Sequence, residues 1–255
     1  MPFTGQPRLG ASINNKTKVR GIAKSLVRAL TTFNARQRED VIEIGFRGLL
    51  DFLQVIYTLG RLGHWLVSHF HVEDMSLHLP SGSIISITRD AVATVFGLPC
   101  GTVTIIERDI QIGNPLLTKW REELRQPKGK VTVPDLCNEL LTHNNGGIWF
   151  KRHFSVVVVS TLLESEHNGY VNKKIVHMFG DMNGMPELDL CGYLLKCLVS
   201  THEDWTTFRR LKYTGPVFFL MLLYANRVVV GSRDNTRERF LLKGWTSKLL
   251  KQREA

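Results

Sequence analysis

The side chains best suited to binding a metal ion are four histidines that lie close together in the sequence. They are His64, His69, His71 and His78. A helical zinc site needs two ligands on one helix face, as in H-E-x-x-H, whereas His64 and His69 are five residues apart. The spacing therefore favours a surface or interfacial histidine cluster over a metal site.

Acidic side chains could support a different chemistry, phosphodiester transfer with two bound divalent ions. The acids that raise this question are Asp51, Asp90, Asp109 and Glu164. Nothing in their spacing brings them together. Asp90 falls in the first turn of a predicted helix, where an acid stabilises the positive end of the helix dipole. We therefore predict structural roles for Asp51 and Asp90, and metal-dependent phosphoryl transfer is the weakest alternative.

Basic and aromatic residues alternate most densely near residue 210, where Trp205, Phe208 and Tyr213 flank three bases. Such a segment can bind nucleic acid, because bases stack on aromatic rings while cations contact phosphates. A second, shorter basic cluster lies near the N-terminus. The candidate nucleic-acid contacts are Lys16, Lys18, Arg20, Arg209, Arg210 and Lys212.

Positive charge is concentrated at the two ends of the chain, which has a formal net charge of +10. Residues 1–40 carry eight Lys and Arg against two acids, residues 41–204 carry 14 against 18, and residues 205–255 carry 11 against three. If the ends meet in space, they form one positive face that attracts phosphates. The alternative is two separate solvated flanks.

The sequence lacks the common catalytic motifs. It contains no G-x-x-x-x-G-K-[ST], no G-x-G-x-x-G and no G-x-S-x-G, so the loops that cradle phosphates or expose a hydrolase serine are missing. We therefore expect no catalytic residue, no cofactor and no enzymatic activity. Its four cysteines lie far apart, which favours reduced thiols over a disulfide scaffold, and Cys191 is expected on an apolar helix face.

The elements that would position these residues are mainly helical. Apolar residues at spacings of three and four, together with Asn, Thr and Pro at helix starts, define most of them. The five tryptophans lie in apolar or amphipathic runs, so core packing is expected for most. Helices are predicted over 19–33, 35–44, 65–70, 89–96, 116–126, 148–163, 188–199, 216–225 and 245–251.

Two segments depart from simple helical periodicity. Short β-like runs on either side of Pro80 and Gly82 predict a hairpin near residues 77–87. The four valines within 148–163 favour a strand by propensity, but the length of the apolar stretch favours a buried helix, which we predict. The expected fold is a compact, mainly α, multi-helix domain with this one small β-hairpin.

The domain organisation follows from charge and composition. Residues 1–21 are predicted to form a basic N-terminal arm, and residues 22–251 the folded domain. The polar segment 126–133 is a possible subdomain break.

The longest apolar runs, 156–159 and 217–224, are too short to span a bilayer, so no membrane association is expected. The N-terminus lacks the apolar region of a signal peptide, and its Arg-, Ser- and Thr-rich composition leaves organelle targeting as a minority interpretation.

The order of several short motifs resembles the plant mobile domain, also labelled aminotransferase-like. The matching stretches are QREDVIEIGFRGLL at 37–50, WLV followed by Phe70, and ITRDAV with FGLPCG at 87–101. The resemblance extends in pattern from about Ile22 to Lys251. Aminotransferase chemistry is not expected, because the Gly-rich phosphate turn that a pyridoxal-phosphate enzyme requires does not occur.

This resemblance implies a transposon-derived, non-enzymatic nuclear module that docks on protein partners, with roles in transposon silencing, genome stability or plant development. The alternative is an accessory or relic protein of a plant mobile element that binds nucleic acid. Either function implies a location in the nucleus, with the cytoplasm as the alternative. The sequence does not name the partner or the oligomeric state.

Overall fold

The structure is a computed structural model that describes residues 23–51, 60–107, 114–125, 130–166, 168–208 and 213–228. These residues form a mainly helical domain with a small antiparallel sheet, which confirms the predicted fold class. The helices are α1 (Ala23–Thr32), α2 (Ala35–Glu43), α3 (Gly60–Ser68), α4 (Arg89–Phe96), α5 (Pro115–Glu123), α6 (Val133–Leu140), α7 (Ile148–Val158), α8 (Leu190–Thr207) and α9 (Val217–Arg227). The strands are β1 (Phe70–His71), β2 (Ser76–His78) and β3 (Ile84–Ser86), and short 3-10 turns occupy Arg47–Asp51, Val176–Phe179 and Met185–Glu187.

Side-chain caps fix the starts of several helices where the sequence predicts them. The Asn34 side chain accepts a hydrogen bond from the Gln37 backbone N–H at 3.0 Å, and the Gln37 side chain accepts one from the Asn34 backbone N–H. The Thr88 hydroxyl accepts from the Ala91 backbone N–H at 3.1 Å at the start of α4, and the Asn114 side chain caps α5. These bonds satisfy donors that the first helical turn leaves without an intrahelical partner.

The predicted hairpin is confirmed and carries one additional strand. In the register of β2 and β3, Leu77 lies opposite Ile85, and β1 adds Phe70 on the other side of Leu77. The sequence placed Phe70 on the preceding helix, and this is wrong because α3 ends at Ser68. Phe70 and Leu77 are both buried, so pairing the two strands brings both side chains into the core.

Helix α6 was not predicted, because its residues follow a segment that we expected to be a linker. Thr132 and Asp135 form a reciprocal capping box at the start of α6, and Val131 and Val133 are buried. The Val171 N–H also donates to the Val131 carbonyl at 3.0 Å. Residues 126–129 lie outside the described residues, so the subdomain break stays a prediction.

Helix α7 forms the centre of the core, and it confirms the choice of a buried helix over a strand. It packs against α2 and α6 and continues into one π-helical segment, Val159–Leu163. All four valines at 156–159 are completely buried. Phe150 and Phe154 on the same helix contact Phe33 at ring-centroid distances of 5.1 and 5.9 Å.

The ends of the chain fall outside the described residues. This applies to the predicted basic arm at 1–21 and to the predicted helix at 245–251. None of the helices within the described ranges is long and apolar enough to cross a membrane.

Candidate ligand pocket between α5, α6 and α7

A cavity of about 580 Å³ opens where α5, the end of α6 and the start of α7 meet. Its volume is typical of ligand sites, which usually measure about 300–1,000 Å³, but its walls are more polar than those of most such sites. The lining residues are Lys119, Glu122, Glu123, Arg125, Glu139, Thr142, His143 and Trp149.

The helical repeat explains how α5 supplies one wall of this pocket. Lys119, Glu122 and Glu123 are three and four residues apart, so they share one face of the helix. Leu117 and Trp120 are buried, which anchors the opposite face of α5 in the core. The amphipathic pattern of α5 therefore determines which charges face the cavity.

The other two walls are stabilised by local contacts. On α6, Glu139 accepts a hydrogen bond from the Thr142 hydroxyl at 3.2 Å, and the Nε2 atom of His143 lies 3.8 Å from the same carboxylate. On α7, the Arg152 guanidinium stacks 4.8 Å from the centre of the Trp149 ring. Arg152 also donates to the Phe179 carbonyl at 2.9 Å, which fixes this cation–π pair in place.

Buried polar atoms without hydrogen-bond partners cluster beside the pocket. Of seven such atoms in the described part of the chain, four belong to adjacent side chains: Trp120 Nε1, His143 Nε2, and both ring nitrogens of His153. The His153 ring lies 5.3 Å from the His143 ring and 6.2 Å from the Trp120 ring, between centroids. Buried polar groups in proteins are nearly always paired, so this concentration points to a bound hydrogen-bonding group.

His153 is the innermost member of this cluster and is completely buried. Burial, and then the neighbouring His143 and Arg152, lower the pKa of His153 to about 3. Its ring is therefore neutral at pH 7, with one nitrogen as a donor and the other as an acceptor. Neither His153 nor Trp120 lines the pocket; of these three side chains only His143 does.

The four clustered histidines make separate contacts rather than one site. The His71 and His78 rings stack 3.8 Å apart, and His78 Nε2 lies 2.7 Å from Asp74 Oδ2. His69 Nδ1 contacts the Trp65 carbonyl at 2.8 Å, and His64 packs against Trp205. Hydrogen bonds from Ser76 and then from His78 lower the pKa of Asp74. Over the described ranges, no group of three or more His, Cys, Asp or Glu residues is arranged to hold a metal ion.

The candidate acids that the structure describes lie on three separate elements. Asp90 lies in the first turn of α4, as predicted, and Asp51 ends a 3-10 turn. Asp109 lies outside the described residues. Glu164 instead contacts the Tyr193 hydroxyl at 3.1 Å, and Glu107 contacts the same hydroxyl at 3.1 Å.

This shared hydroxyl defines a polar cluster that sequence reasoning missed. Glu164 also accepts a hydrogen bond from the Asn172 side chain at 2.8 Å, and Lys196 lies 3.7 Å from Glu107. Burial, and then Glu107, raise the pKa of Glu164. Glu107 and Tyr193 are 86 positions apart in the sequence, so no local pattern could have brought them together.

All six candidate nucleic-acid contacts lie outside the described residues. They are Lys16, Lys18, Arg20, Arg209, Arg210 and Lys212. Their aromatic neighbours are described: Phe208 is 65% exposed, whereas Tyr213 is buried and contacts the Thr201 hydroxyl at 3.2 Å.

The described tryptophans support the prediction of core packing. Trp120 is completely buried, while three others are partly buried and pack against the core: Trp65, Trp149 and Trp205. Trp245 is outside the described ranges. Cys191 is completely buried on α8, as predicted.

The fold and the site together define a mainly helical domain with a small antiparallel sheet and a polar pocket between three helices. Residues 19–221 match a family described as "Domain of unknown function (DUF8566)", and the chain belongs to this family. No curated protein and no solved structure is detectably similar to it.

The resemblance to the plant mobile domain is wrong, because the family that matches is a different one. The structure explains why the motif at 96–101 misleads. Gly97 ends α4 in the left-handed conformation, with φ 62°, and Pro99 follows. A Cβ atom at Gly101 would overlap the backbone of Glu187. Many helix ends require the same residue types, so this motif does not identify the plant mobile domain. Transposon ancestry and the roles inferred from it therefore lose their support.

Proposed function

We propose that this domain is a non-enzymatic binding module and that its α5–α6–α7 pocket takes a charged polypeptide segment of a protein partner. The observation that carries the proposal is the pocket wall itself, where charged side chains of both signs and the unpaired Nε2 atom of His143 line one cavity. A polypeptide supplies N–H donors and C=O acceptors at short intervals, and its side chains supply charges of either sign.

The charges on the pocket walls support the choice of a charged segment. Lys119, Glu122, Glu123 and Arg125 all line the cavity, and none of them forms an ion pair with another described residue. Both signs of charge are therefore available to a ligand. The Trp149 ring, held by Arg152, is the aromatic surface against which the segment would pack.

Peptide selection followed by calorimetry tests this proposal. Peptides would be selected from a random library on the purified protein, and their affinities measured for wild type and for Lys119→Ala/Glu122→Ala. Both of these side chains are exposed, so the substitutions leave the core intact. We expect affinity to fall about tenfold, which corresponds to roughly 1.4 kcal/mol.

The matched control is Lys24→Ala/Glu203→Ala, which removes the same two charge types from exposed positions on α1 and α8. This control is expected to bind like wild type. Equal affinity of the pocket variant and the control, or a library that yields no specific peptide, would overturn the proposal.

Nucleic-acid binding is a second candidate, favoured by the distribution of charge. The described residues hold 17 Lys and Arg against 19 Asp and Glu, a net charge of −2. The remaining residues hold 16 Lys and Arg against four acids, a net charge of +12. Any electrostatic attraction for phosphates therefore comes mainly from the residues outside the described ranges.

The test is binding to labelled single- and double-stranded DNA and RNA across a salt series. If this candidate is correct, affinity falls steeply with salt and is lost when Arg209, Arg210 and Lys212 are neutralised. Absence of binding at low salt would rule it out and leave the peptide-binding proposal in place. A nuclear location stays a prediction, which imaging of a fluorescent fusion would test.

A further inference from the structure

Two cysteines are neighbours at the start of α8, away from the pocket. Cys100 is exposed on the segment after α4, and Cys191 is buried in the first turn of α8. Their backbones are held together by an antiparallel bridge between Cys100 and Asp189 and by a hydrogen bond of 3.3 Å from the Cys191 N–H to the Pro99 carbonyl. Residues that are far apart in the sequence are thus fixed side by side.

The Cys191 thiol packs on the segment that carries Cys100. Its sulfur lies 3.7 Å from the carbonyl oxygen of Leu98, two residues before Cys100. The neighbouring Gly101 packs directly on the Glu187 backbone, where no Cβ atom would fit. This close packing keeps the Cys100 segment against the start of α8.

A cation lies beside the exposed thiol. The Arg89 guanidinium donates to the carbonyl of Gly101, the residue after Cys100, at 2.9 Å, and it is held there by Asp189 Oδ1 at 3.0 Å. An exposed sulfur next to a fixed positive charge is the arrangement in which cysteine reacts as a nucleophile. Cys191 differs, because burial and then the contact with Cys100 raise its pKa and keep it protonated.

We propose that Cys100 and Cys191 form a peroxide-sensitive thiol pair, in which Cys100 is oxidised first and Cys191 then converts it to an intramolecular disulfide. In the first step the Cys100 sulfur attacks hydrogen peroxide, the O–O bond breaks, water leaves, and Cys100 becomes a sulfenic acid. In the second step the Cys191 sulfur loses its proton and attacks the Cys100 sulfur, which releases a second water. Two thiols are oxidised by two electrons, and one peroxide is reduced to two waters.

Mass spectrometry of the full-length protein treated with hydrogen peroxide tests this chemistry. We expect the intact mass to fall by two hydrogens and a peptide linked through Cys100 and Cys191 to appear after proteolysis, while Cys137 and Cys197 stay available to alkylation after unfolding. A reductant should reverse the change. Failure of this test would not affect the peptide-binding proposal, because the two sites share no residue.

Two variants separate the steps. In Cys191→Ala the sulfenic acid of Cys100 has no resolving partner, so labelling with a dimedone probe should increase severalfold over wild type. Cys197→Ala, a buried cysteine on the same helix, is the matched control and should still form the disulfide. Overoxidation of Cys100 in wild type without linkage to Cys191, or linkage only between two protein molecules, would overturn the proposal.

Discussion

The imidazole rings of His153 and His143 lie 5.3 Å apart between centroids, inclined at 63° to each other. Three of their four nitrogens are buried and have no hydrogen-bond partner in the described structure. Leaving a buried polar group without a partner typically costs about 1–3 kcal/mol. The pair is therefore a local weakness of the fold, and His143, its outer member, lines the adjacent pocket.

The buried imidazole of His153 makes stability depend on pH. Its pKa is lowered from 6.5 to about 3, so the unfolded chain takes up a proton at pH values where the folded protein does not. Stability is therefore lost as pH falls from about 6.5 towards 3. Between pH 7 and pH 5 this group should cost wild type about 2 kcal/mol, a loss that His153→Phe should lack.

Urea denaturation of both proteins at pH 7 and pH 5 measures this difference. His71→Phe, at an exposed position on β1, is the control and should retain the wild-type pH dependence. If wild type and His153→Phe lose the same free energy of unfolding between pH 7 and pH 5, His153 has a hydrogen-bond partner or becomes protonated in the folded protein.

Asp40 is the buried carboxylate that ties α2 to α7, and its removal should be costly. It is completely buried, accepts a hydrogen bond from the Gly147 N–H at 2.6 Å, and lies 3.2 Å from Arg36 and 3.7 Å from Lys151. Asp40→Ala leaves the buried Lys151 and the half-exposed Arg36 without this partner, although Lys151 keeps Glu43 at 2.6 Å. We expect a loss of about 3–5 kcal/mol in the free energy of unfolding.

Chemical denaturation at pH 7 measures the loss, with Glu39→Ala as the control. Glu39 lies next to Asp40 and pairs with the same Arg36, but its side chain is 66% exposed. Its removal should change stability by less than about 1 kcal/mol. Similar effects of the two substitutions would mean that the burial of Asp40 contributes nothing beyond a surface ion pair.

The features that could be predicted from the sequence are the ones that depend on near neighbours. The caps at Asn34, Thr88 and Asn114 and the left-handed Gly97 each involve residues within one helical turn. Helix α6 has an equally local signal in Thr132 and Asp135, but the polar residues before it led us to expect a linker. Helix α8 continues to Thr207, beyond the predicted end, and in this extension His202 packs against Phe70 and Trp205 against His64.

The pocket and both side-chain clusters could not be predicted in this way. The bridge that places Cys100 beside the start of α8 and the hydroxyl shared by Glu107 and Glu164 join residues from separate elements. His153 has no hydrogen-bond partner because of how side chains from separate elements pack around its ring. The spacing of residues in the sequence does not predict such packing.

Replacing the Glu164 carboxylate by the neutral amide of glutamine should stabilise the folded protein at pH 7. Burial, and then Glu107, raise its pKa above 4.5, so the folded protein holds this proton at a pH where the unfolded chain has lost it. The contribution of Glu164 to stability is therefore greatest at low pH and decreases as pH rises through the folded pKa. Glutamine keeps an oxygen that accepts from Asn172 and Tyr193, but it removes the repulsion with Glu107.

We therefore expect Glu164→Gln to raise the free energy of unfolding at pH 7, with little change at pH 4. Denaturation curves at the two pH values provide the measurement. Glu166→Gln, at an exposed position two residues away, is the matched control and should have little effect at either pH. A Glu164→Gln protein that is less stable at pH 7 would show that hydrogen bonds to the charged carboxylate outweigh its burial and its repulsion by Glu107.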